Sequence, residues 1–300
     1  MAIAPVPRLA LPALLAAMLA VPPQATPALE FRAAGGAWRP WPAFGPRALA
    51  RRVDGLADAV AWRETRTGLR VGDFTVRTGD GMLTNSIAVI EIDPAGVRVA
   101  LAAERGWERR LAAEWMEDDS SLVLVTNTGL FRDTGSPIGL VQMDGVRRTG
   151  PVAWLDAVVG VEDGSLRLTD TPGIDSLGPG ASAFQTLPWL VRDGAVAFGA
   201  TSGLRLSRTH RDRRITLCQG DDGLIRLLLS NFEVFGAEVG RVPVGLTIPE
   251  QAALAAGLGC RDAVALDGGI SAQIAVRGQS RVIRMPGWRK VPLMLVARRR

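Results

Sequence analysis

The stretch Gly257–Gln273, which reads GLGCRDAVALDGGISAQ, decides the fold around the candidate site of this 300-residue chain. A helix is predicted to end at its first glycines. A short apolar strand, Ala263–Leu266, then delivers Asp267 to a turn at Gly268–Gly269, and a second strand leaves through Ser271. An acid at the end of a buried strand, beside two residues without side chains, is held rigidly and leaves room for a ligand.

The same Asp-Gly pair is also the strongest short signal for a β-hairpin. The chain contains seven such pairs, beginning at positions 54, 80, 144, 163, 193, 222 and 267. Most of them are expected to be ordinary turns. Spacing alone therefore leaves Asp267 open between a turn residue and a functional acid.

Three further segments carry recognisable patterns. With the stretch above they are, in chain order, Val125–Phe131 (VTNTGLF), Gln185–Val191 (QTLPWLV), Arg214–Leu217 (RITL) and Leu266–Ser271 (LDGGIS). Together they resemble, in the same order, the motifs of the phosphodiester glycosidase family, which includes N-acetylglucosamine-1-phosphodiester α-N-acetylglucosaminidase. The last segment is similar to that family's Leu-Asp-Gly-Gly-Gly-Ser signature. The resemblance covers roughly residues 60–297.

The chain differs from the family pattern at four points. Thr128 and Ile270 stand where the family has small glycines, and Cys218 stands where a glycine is usual. Arg214 is followed by isoleucine rather than threonine. The substitutions at positions 128, 218 and 270 motivate a second hypothesis, a non-catalytic envelope protein of the same fold that binds an anionic glycan.

Asp267 and His210 are the predicted catalytic residues. If a glycosidic carbon–oxygen bond breaks, two carboxylates are expected, and Asp133, Asp212 and Asp175 remain open as the second. His210 is the only histidine, and an imidazole exchanges protons near neutral pH. The alternative for His210 is a purely structural role.

The predicted substrate-binding residues have side chains, or the lack of one, that suit a sugar phosphate. Arg214 matches the family's arginine, and a guanidinium forks onto two phosphate oxygens, although a surface ion pair would also explain it. The amide of Asn127 can donate to and accept from a sugar hydroxyl, or form an Asx-turn. The other predicted contacts are Gly129, Gln185, Gly268, Gly269 and Ser271.

The amino terminus predicts export. Arg8 precedes an apolar run from Leu9 to Val21, and Thr26-Pro27-Ala28 offers a small-residue cleavage site, so residues 1–28 are predicted to be a signal peptide. The run is short for a membrane span, and an uncleaved anchor is the alternative. The mature protein is therefore expected to be periplasmic or extracellular, without a stable membrane span.

Composition narrows the ligand classes. The net charge is +5, but 34 arginines and one lysine are dispersed among 30 acids, so nucleic acid is not a predicted partner. A sugar phosphate or glycan is the expected ligand. No metal-ligand motif is present, and neither a metal nor a cofactor is predicted. The two cysteines, Cys218 and Cys260, form either a disulfide or two buried thiols.

The pattern of elements predicts one α+β domain with a largely antiparallel or mixed sheet. Residues 29–60 are read as an irregular lead-in, packed through Trp38 and Trp41, and residues 61–300 as the glycosidase-like domain. Short strands alternate with Asp-Gly turns over much of this range. A hairpin is predicted at Asp93–Gly96, and a helix through Trp107, Leu111 and Trp115. A capped helix opens at Thr247.

Two functions from different classes follow. The first is an exported hydrolase that cleaves a sugar-1-phosphodiester. The second is the glycan-binding protein described above. The first predicts that Asn127, Arg214 and Asp267 converge in space, while a cleft filled by Ile270 favours the second. The sugar, the aglycone, the bond that is cleaved and the oligomeric state have no sequence signal.

Overall fold

The computed structural model describes residues 29–41, 55–66, 68–78, 84–197, 206–232 and 245–300. The predicted signal peptide, residues 1–28, lies outside the described residues, as do the Asp-Gly pairs at positions 54 and 80 in whole or in part. The described part contains twenty strands and two α-helices. No helix in these ranges is long and apolar enough to cross a membrane.

In chain order the strands are β1 Leu29–Arg32, β2 Arg39–Pro40, β3 Ala61–Arg66, β4 Leu69–Thr78, β5 Thr84–Ile92, β6 Val97–Ala103, β7 Leu122–Asn127, β8 Val141–Met143, β9 Val146–Thr149, β10 Ala157–Glu162, β11 Ser165–Asp170, β12 Ser182–Thr186, β13 Trp189–Arg192, β14 Ala195–Val196, β15 Arg214–Gly220, β16 Ile225–Phe232, β17 Cys260–Ala265, β18 Ile274–Arg277, β19 Val282–Met285 and β20 Leu293–Arg299. The helices are α1 Ala112–Asp118 and α2 Ile248–Gly257.

The strands form three antiparallel sheets. The large sheet has ten strands in the order β14-β13-β17-β15-β16-β5-β4-β1-β2, with β3 also paired to β4. A second sheet has the order β11-β10-β12-β8-β9, and a third has the order β19-β18-β7-β20-β6. Every pair is antiparallel, which confirms the predicted α+β class with a largely antiparallel sheet.

The main hydrophobic core lies where the three sheets face one another. Ile90 and Leu217 of the large sheet pack in one cluster with Leu295 of the third sheet and Phe184 of the second. The opposite face of the large sheet packs on α2, and the opposite face of the third sheet packs on α1. A segment that passes from the large sheet to the third sheet is therefore fixed by two packed layers.

The predicted hairpin at Asp93–Gly96 is wrong, although the turn itself is present. Gly96 N donates to Asp93 O over 3.0 Å. However, β4 and β16 occupy both edges of β5, so β6 has no free edge to pair with. The turn instead carries the chain into the third sheet, where β6 pairs with β20.

The helix predicted through Trp107, Leu111 and Trp115 begins later than expected. Gly106 and Trp107 have positive φ angles of 71° and 63°, which interrupt a helix at this point. The helix starts at Ala112, whose N–H donates to Gln273 Oε1 over 2.7 Å. Its Trp115 is half-buried and packs against the cluster that contains Met116 and Val125.

The predicted cap of α2 is confirmed. Thr247 Oγ1 accepts from Glu250 N over 3.3 Å, and Glu250 Oε2 accepts from Thr247 N over 2.8 Å. Arg211 adds two 2.8 Å bonds to the same carboxylate. Glu250 therefore ties the segment before β15 to the start of the helix.

The amino-terminal segment is more regular than predicted. Within residues 29–41, β1 pairs with β4 and β2 with β1, which extends the large sheet to its edge. Trp41 is buried and meets Phe31 edge-on at 6.1 Å between ring centroids. The predicted packing through Trp41 is therefore confirmed.

The two cysteines form a disulfide. Cys218 of β15 and Cys260 of β17 have Cα atoms 5.6 Å apart, and both are buried in the cluster beneath α2. The bridge resolves the alternative left open by the sequence. Disulfides persist in oxidising compartments, so this one is typical of a protein outside the cytoplasm.

Candidate active site

Asp267 does not lie in a hairpin. The Asp-Gly pairs at 144, 163, 193 and 222 close the hairpins β8–β9, β10–β11, β13–β14 and β15–β16. The pair at Asp267 instead joins β17 of the large sheet to β18 of the third sheet, through a short 3₁₀ turn at Gly269–Ser271. This crossing distinguishes Asp267 from the described ordinary Asp-Gly turns.

The end of β7 holds the Asp267 backbone. Asp267 N donates to Thr128 O over 2.8 Å, and Asn127 Nδ2 donates to Asp267 O over 2.7 Å. Asn127 Oδ1 also accepts from Gln273 N over 2.9 Å, and the residue is 1% exposed. The amide of Asn127 therefore bonds the backbone at Asp267 and at Gln273, the two ends of the segment that joins the sheets, and is not presented to solvent.

The two glycines of the turn allow a close approach of protein backbone. A Cβ at Gly268 would lie 2.7 Å from Arg213 O. Gly269 has a φ of 59°, donates its N–H to Arg213 O over 2.8 Å, and would carry a Cβ 3.3 Å from Asp212 Oδ2. Both glycines thus accommodate the segment that precedes β15.

Gly129 and Gln185 meet each other rather than the Asp267 turn. A Cβ at Gly129 would lie 2.4 Å from Gln185 O. Gln185 is 1% exposed, and its carboxamide forms hydrogen bonds with five protein groups. Its partners are Leu140 N, Val152 N, Val152 O, Leu155 O and Thr171 Oγ1. Both predicted substrate contacts therefore have a structural explanation, a clamp on the segments between β7 and β12.

The Asp267 carboxyl has an unusual proton affinity. Burial raises its pKa to about 6, opposed by hydrogen bonds from the Ser271 hydroxyl and the Gly268 N–H and by the positive charge of Arg289. The negative charge of Asp212 raises the pKa further. A carboxyl with a pKa near the working pH can accept and release a proton during a reaction.

Asp212 is the second carboxyl at this place. Of the three candidates, it is the one whose charge acts on Asp267. Burial raises the Asp212 pKa, while the Arg213 N–H, Arg214 and His210 oppose the rise. His210 Nε2 lies 3.8 Å from Asp212 Oδ2, and the His210 side chain is 68% exposed.

The other two candidate carboxylates lie elsewhere. Asp133 is exposed and pairs with Arg289. Asp175 is exposed in the 3₁₀ turn Thr171–Ser176, which follows β11 of the second sheet.

The Arg214 side chain acts on Asp212 through its charge and bonds two backbone carbonyls. Nε donates to Leu246 O over 2.6 Å, and Nη2 donates to His210 O over 2.8 Å. Burial lowers its pKa, while Asp212 and Glu250 raise it. The guanidinium thus holds together the segments around His210 and Leu246.

Arg289 is the cation that the sequence reasoning missed. Its charge acts on Asp267, its guanidinium lies 4.7 Å from the Phe131 ring centroid, and its backbone N–H donates to Ile270 O over 3.0 Å. The available signal was the run Pro286–Lys290, where a Pro-Gly turn is followed by tryptophan and two cations immediately before the last strand.

Metal-ligand geometry is not found in the described ranges. No group of three or more His, Cys, Asp or Glu side chains there could hold a metal ion. The carboxyls of Asp267 and Asp212 interact electrostatically, and the Ser271 hydroxyl and the Arg289 guanidinium also act on Asp267. These groups are suited to acid–base chemistry on an anionic substrate.

A family model for the phosphodiester glycosidase domain matches residues 120–298. The chain belongs to the phosphodiester glycosidase family. The matched range starts just before β7 and ends within β20, so it contains Asn127, Arg214, Asp267 and Arg289. No curated protein sequence matches the chain.

Solved structures of low sequence identity share this family fold. The zebrafish N-acetylglucosamine-1-phosphodiester α-N-acetylglucosaminidase catalytic domain, auto-inhibited by its pro-peptide, has a TM-score of 0.63 and 17% identity over 80% of this chain and 88% of that chain. A hypothetical protein from Synechocystis has a TM-score of 0.60 and 15% identity over 80% of this chain. This chain spans 64% of that protein's length.

A third relative, a candidate exported protein of Burkholderia pseudomallei, has a TM-score of 0.52 and 14% identity. The similarity covers 72% of this chain and 74% of that one. At such identities the likeness establishes the fold, and the chemistry has to be argued from the residues of this chain.

Proposed function

We propose that this protein is an exported hydrolase that cleaves a sugar-1-phosphodiester and releases the free sugar and a phosphomonoester. One observation carries the proposal. The partly buried Asp267, whose carboxyl pKa is raised to about 6, lies where the segments of Asn127 and Asp212 meet and within the field of Arg289. Family membership supplies the reaction class.

Asp267 is the proposed general base. As a carboxylate it takes a proton from water while the water oxygen bonds to the anomeric carbon. The bond from that carbon to the phosphate oxygen breaks, and its electron pair leaves with the phosphate. The Ser271 hydroxyl, which donates to the Asp267 carboxyl, holds the base in position.

Arg289 is the proposed phosphate ligand. Its exposed partner, Asp133, is 97% exposed, and ion pairs of this kind contribute little to stability, so a phosphate can displace the carboxylate. A guanidinium offers two parallel donors to the phosphate oxygens. Arg289 takes over the role that the sequence assigned to Arg214, whose Nε and Nη2 are engaged by backbone carbonyls.

Asp212 and His210 form a pair that is the proposed general acid, in addition to the general base Asp267. Their side chains are 3.8 Å apart, and the raised pKa of Asp212 favours its protonated form. From this place they can supply a proton to the departing phosphate oxygen. His210 therefore keeps its predicted catalytic role in the proposal, with Asp212 as its partner.

A second candidate function remains, a non-catalytic glycan-binding protein of the same fold. It is favoured by Ile270, which stands at a family glycine position and is 39% exposed beside the Asp267 turn. Such a protein would bind sugar phosphates without hydrolysing them. One assay of binding and product release separates the two functions.

The test is a panel of sugar-1-phosphodiesters that begins with N-acetylglucosamine, the sugar in the name of the zebrafish relative. Free sugar and phosphomonoester are both measured, with Asp267→Asn as the matched inactive variant. Release of both products by the wild type alone supports the hydrolase. Binding of a diester with no release by either protein favours the glycan-binding function.

Export is part of the proposal. It is supported by the charged and apolar amino-terminal run, by the Cys218–Cys260 disulfide, and by the description of the Burkholderia relative. Amino-terminal sequencing of material from the periplasm or medium should give a start near Leu29. Recovery of the chain from the cytoplasm with an intact amino terminus would contradict export.

A further inference from the structure

A depression lies next to the proposed active site and shares Arg289 with it. It has a volume of about 530 Å³ and is lined by Glu108, Arg109, Trp288, Arg289 and Lys290. Trp288 N donates to Ile270 O over 2.8 Å, so the depression is tied through backbone to the Asp267 turn. A group attached to a phosphate on Arg289 would extend into this space.

Trp288 gives the depression a flat apolar surface. Its side chain is 55% exposed, the largest exposure among the large hydrophobic residues described. Indoles are usually buried or bound because of their large apolar area. In a depression otherwise lined by charged groups, the indole face suits a ring that is apolar on its faces and polar at its edge, as a sugar ring is.

One cation of the depression, Arg109, is available to an anion. The lining has three cations and one acid, and carboxylates pair with the other two cations. Arg289 pairs with Asp133, and Lys290 Nζ lies 2.6 Å from Glu114 Oε1. Arg109 has no carboxylate partner among the described residues, and its aliphatic stem lies 3.6 Å from the position of a Cβ at Gly135. A negative group on a ligand would supply the ion-pair partner of Arg109.

We infer that this depression is an aglycone subsite for an anionic sugar, which stacks on Trp288 and places a carboxylate or phosphate on Arg109. The inference rests on the proposed function, because it takes the depression to hold the alcohol side of the diester. Glu108 is then available to accept hydrogen bonds from sugar hydroxyls. The substrate class is a linkage within an acidic glycan rather than a sugar phosphate on a neutral or alkyl alcohol.

The test compares three diesters that carry the same 1-phosphorylated sugar, namely the sugar that is released fastest from the diesters of the panel above. They differ only in the alcohol: the 4-hydroxyl of methyl glucoside, the 4-hydroxyl of methyl glucuronide, and octanol. We expect kcat/KM for the glucuronide to exceed that for the glucoside by about tenfold, because one charge-assisted hydrogen bond is gained. The ratio should fall between about 50 mM and about 500 mM salt.

Two variants and one control locate the effect. Arg109→Gln should bring the glucuronide-to-glucoside ratio close to one. Trp288→Ala should lower kcat/KM of both sugar diesters about fivefold relative to the octyl diester. The control, Arg148→Gln, changes an exposed arginine of β9 in the second sheet and should keep the wild-type ratio. A ratio near one in the wild type, a ratio that survives Arg109→Gln, or an octyl diester that is the best substrate would overturn the inference.

A binding experiment tests the subsite independently of catalysis. Methyl glucuronide 4-phosphate and methyl glucoside 4-phosphate are titrated calorimetrically into the wild type, Arg109→Gln and Arg148→Gln. About tenfold tighter, Arg109-dependent binding of the glucuronide, with no diester cleaved, would retain the subsite and reject the hydrolase. Equal binding of the two compounds would reject the subsite whether or not the diesters are cleaved.

Discussion

Asn127 Nδ2 donates a 2.7 Å hydrogen bond to the backbone oxygen of Asp267, 140 positions further along the chain. The same side chain accepts from Gln273 N, so one carboxamide spans the crossing between the large sheet and the third sheet. An acid fixed in this way keeps its position when its protonation state changes, which a general base requires.

The raised pKa of Asp267 makes a signed prediction about stability. Its folded-state pKa of about 6 lies above the ordinary value of 3.8, so folding favours the protonated form. The stabilisation that protonated Asp267 adds to the free energy of unfolding is present below about pH 4 and is lost as the pH rises through about 6. Between about pH 4.5 and pH 8, the free energy of unfolding of the wild type should fall by about 2 kcal/mol relative to Asp267→Asn.

Urea denaturation of both proteins across this range measures the difference. The comparison with Asp267→Asn removes the opposite trend from Glu114, Asp119 and Asp222, whose pKa values are lowered in the fold. Parallel stability curves for the two proteins would mean that Asp267 titrates as an ordinary aspartate.

The two arginines of the site should respond differently to lysine. Arg289→Lys should raise KM for a phosphodiester about tenfold or more, because lysine keeps the charge and loses the paired donors. Arg214→Lys should act mainly on stability, lowering the free energy of unfolding by about 1–2 kcal/mol through its bonds to two carbonyls.

Steady-state kinetics and thermal unfolding on both variants separate these effects. A KM that rises in Arg214→Lys and not in Arg289→Lys would restore the assignment made from the sequence.

Much of the site was visible in the sequence because its parts are local. The acid at the end of β17, the glycines after it and the capping box of α2 each depend on neighbours within a few residues. The role of Arg289 was not visible, because it depends on a turn that folds back onto Ile270. The structural use of Asn127 and Gln185 was also hidden, since their partners lie up to 146 positions away.

The fold class was predictable and the pairing of strands was not. Asp93–Gly96 has the composition of a hairpin turn, but β6 follows a strand whose two edges are already occupied. Conversely, the Asp-Gly pair at Asp267 has the strongest hairpin signal and crosses between sheets. Turn residues specify a local bend, whereas the partner of a strand is chosen by the packing of the whole domain.

Gly268 should be intolerant of a side chain. The Cβ of Gly268→Ala would lie 2.7 Å from Arg213 O, a backbone atom that also accepts from Gly269 N. We expect a loss of about 1–3 kcal/mol in the free energy of unfolding. Gly180→Ala is the control, because nothing lies within 4 Å of its Cβ and its φ is not positive.

Chemical denaturation measures both alanine variants. Gly180→Ala should be within about 1 kcal/mol of the wild type. Equal stability of the two variants would show that the Asp212–Arg213 segment moves freely away from the turn.

The disulfide should contribute substantially to stability. It closes a loop with a sequence separation of 42, which corresponds to about 4 kcal/mol in the chain-entropy estimate. The double variant Cys218→Ala, Cys260→Ala should lose most of this amount in urea denaturation. A reducing agent should destabilise the wild type and leave the double variant unchanged, and insensitivity of the wild type would contradict a bridge in solution.

The most direct test of the central claim is hydrolysis of a sugar-1-phosphodiester in ¹⁸O-labelled water by the wild type and Asp267→Asn. Attack at the anomeric carbon predicts a phosphomonoester without ¹⁸O. The rate should rise with pH through about 6, as the Asp267 carboxyl ionises, and should fall about 100-fold or more in Asp267→Asn. Label in the phosphate, or an undiminished rate in Asp267→Asn, would contradict a glycosidase that uses Asp267 as its base.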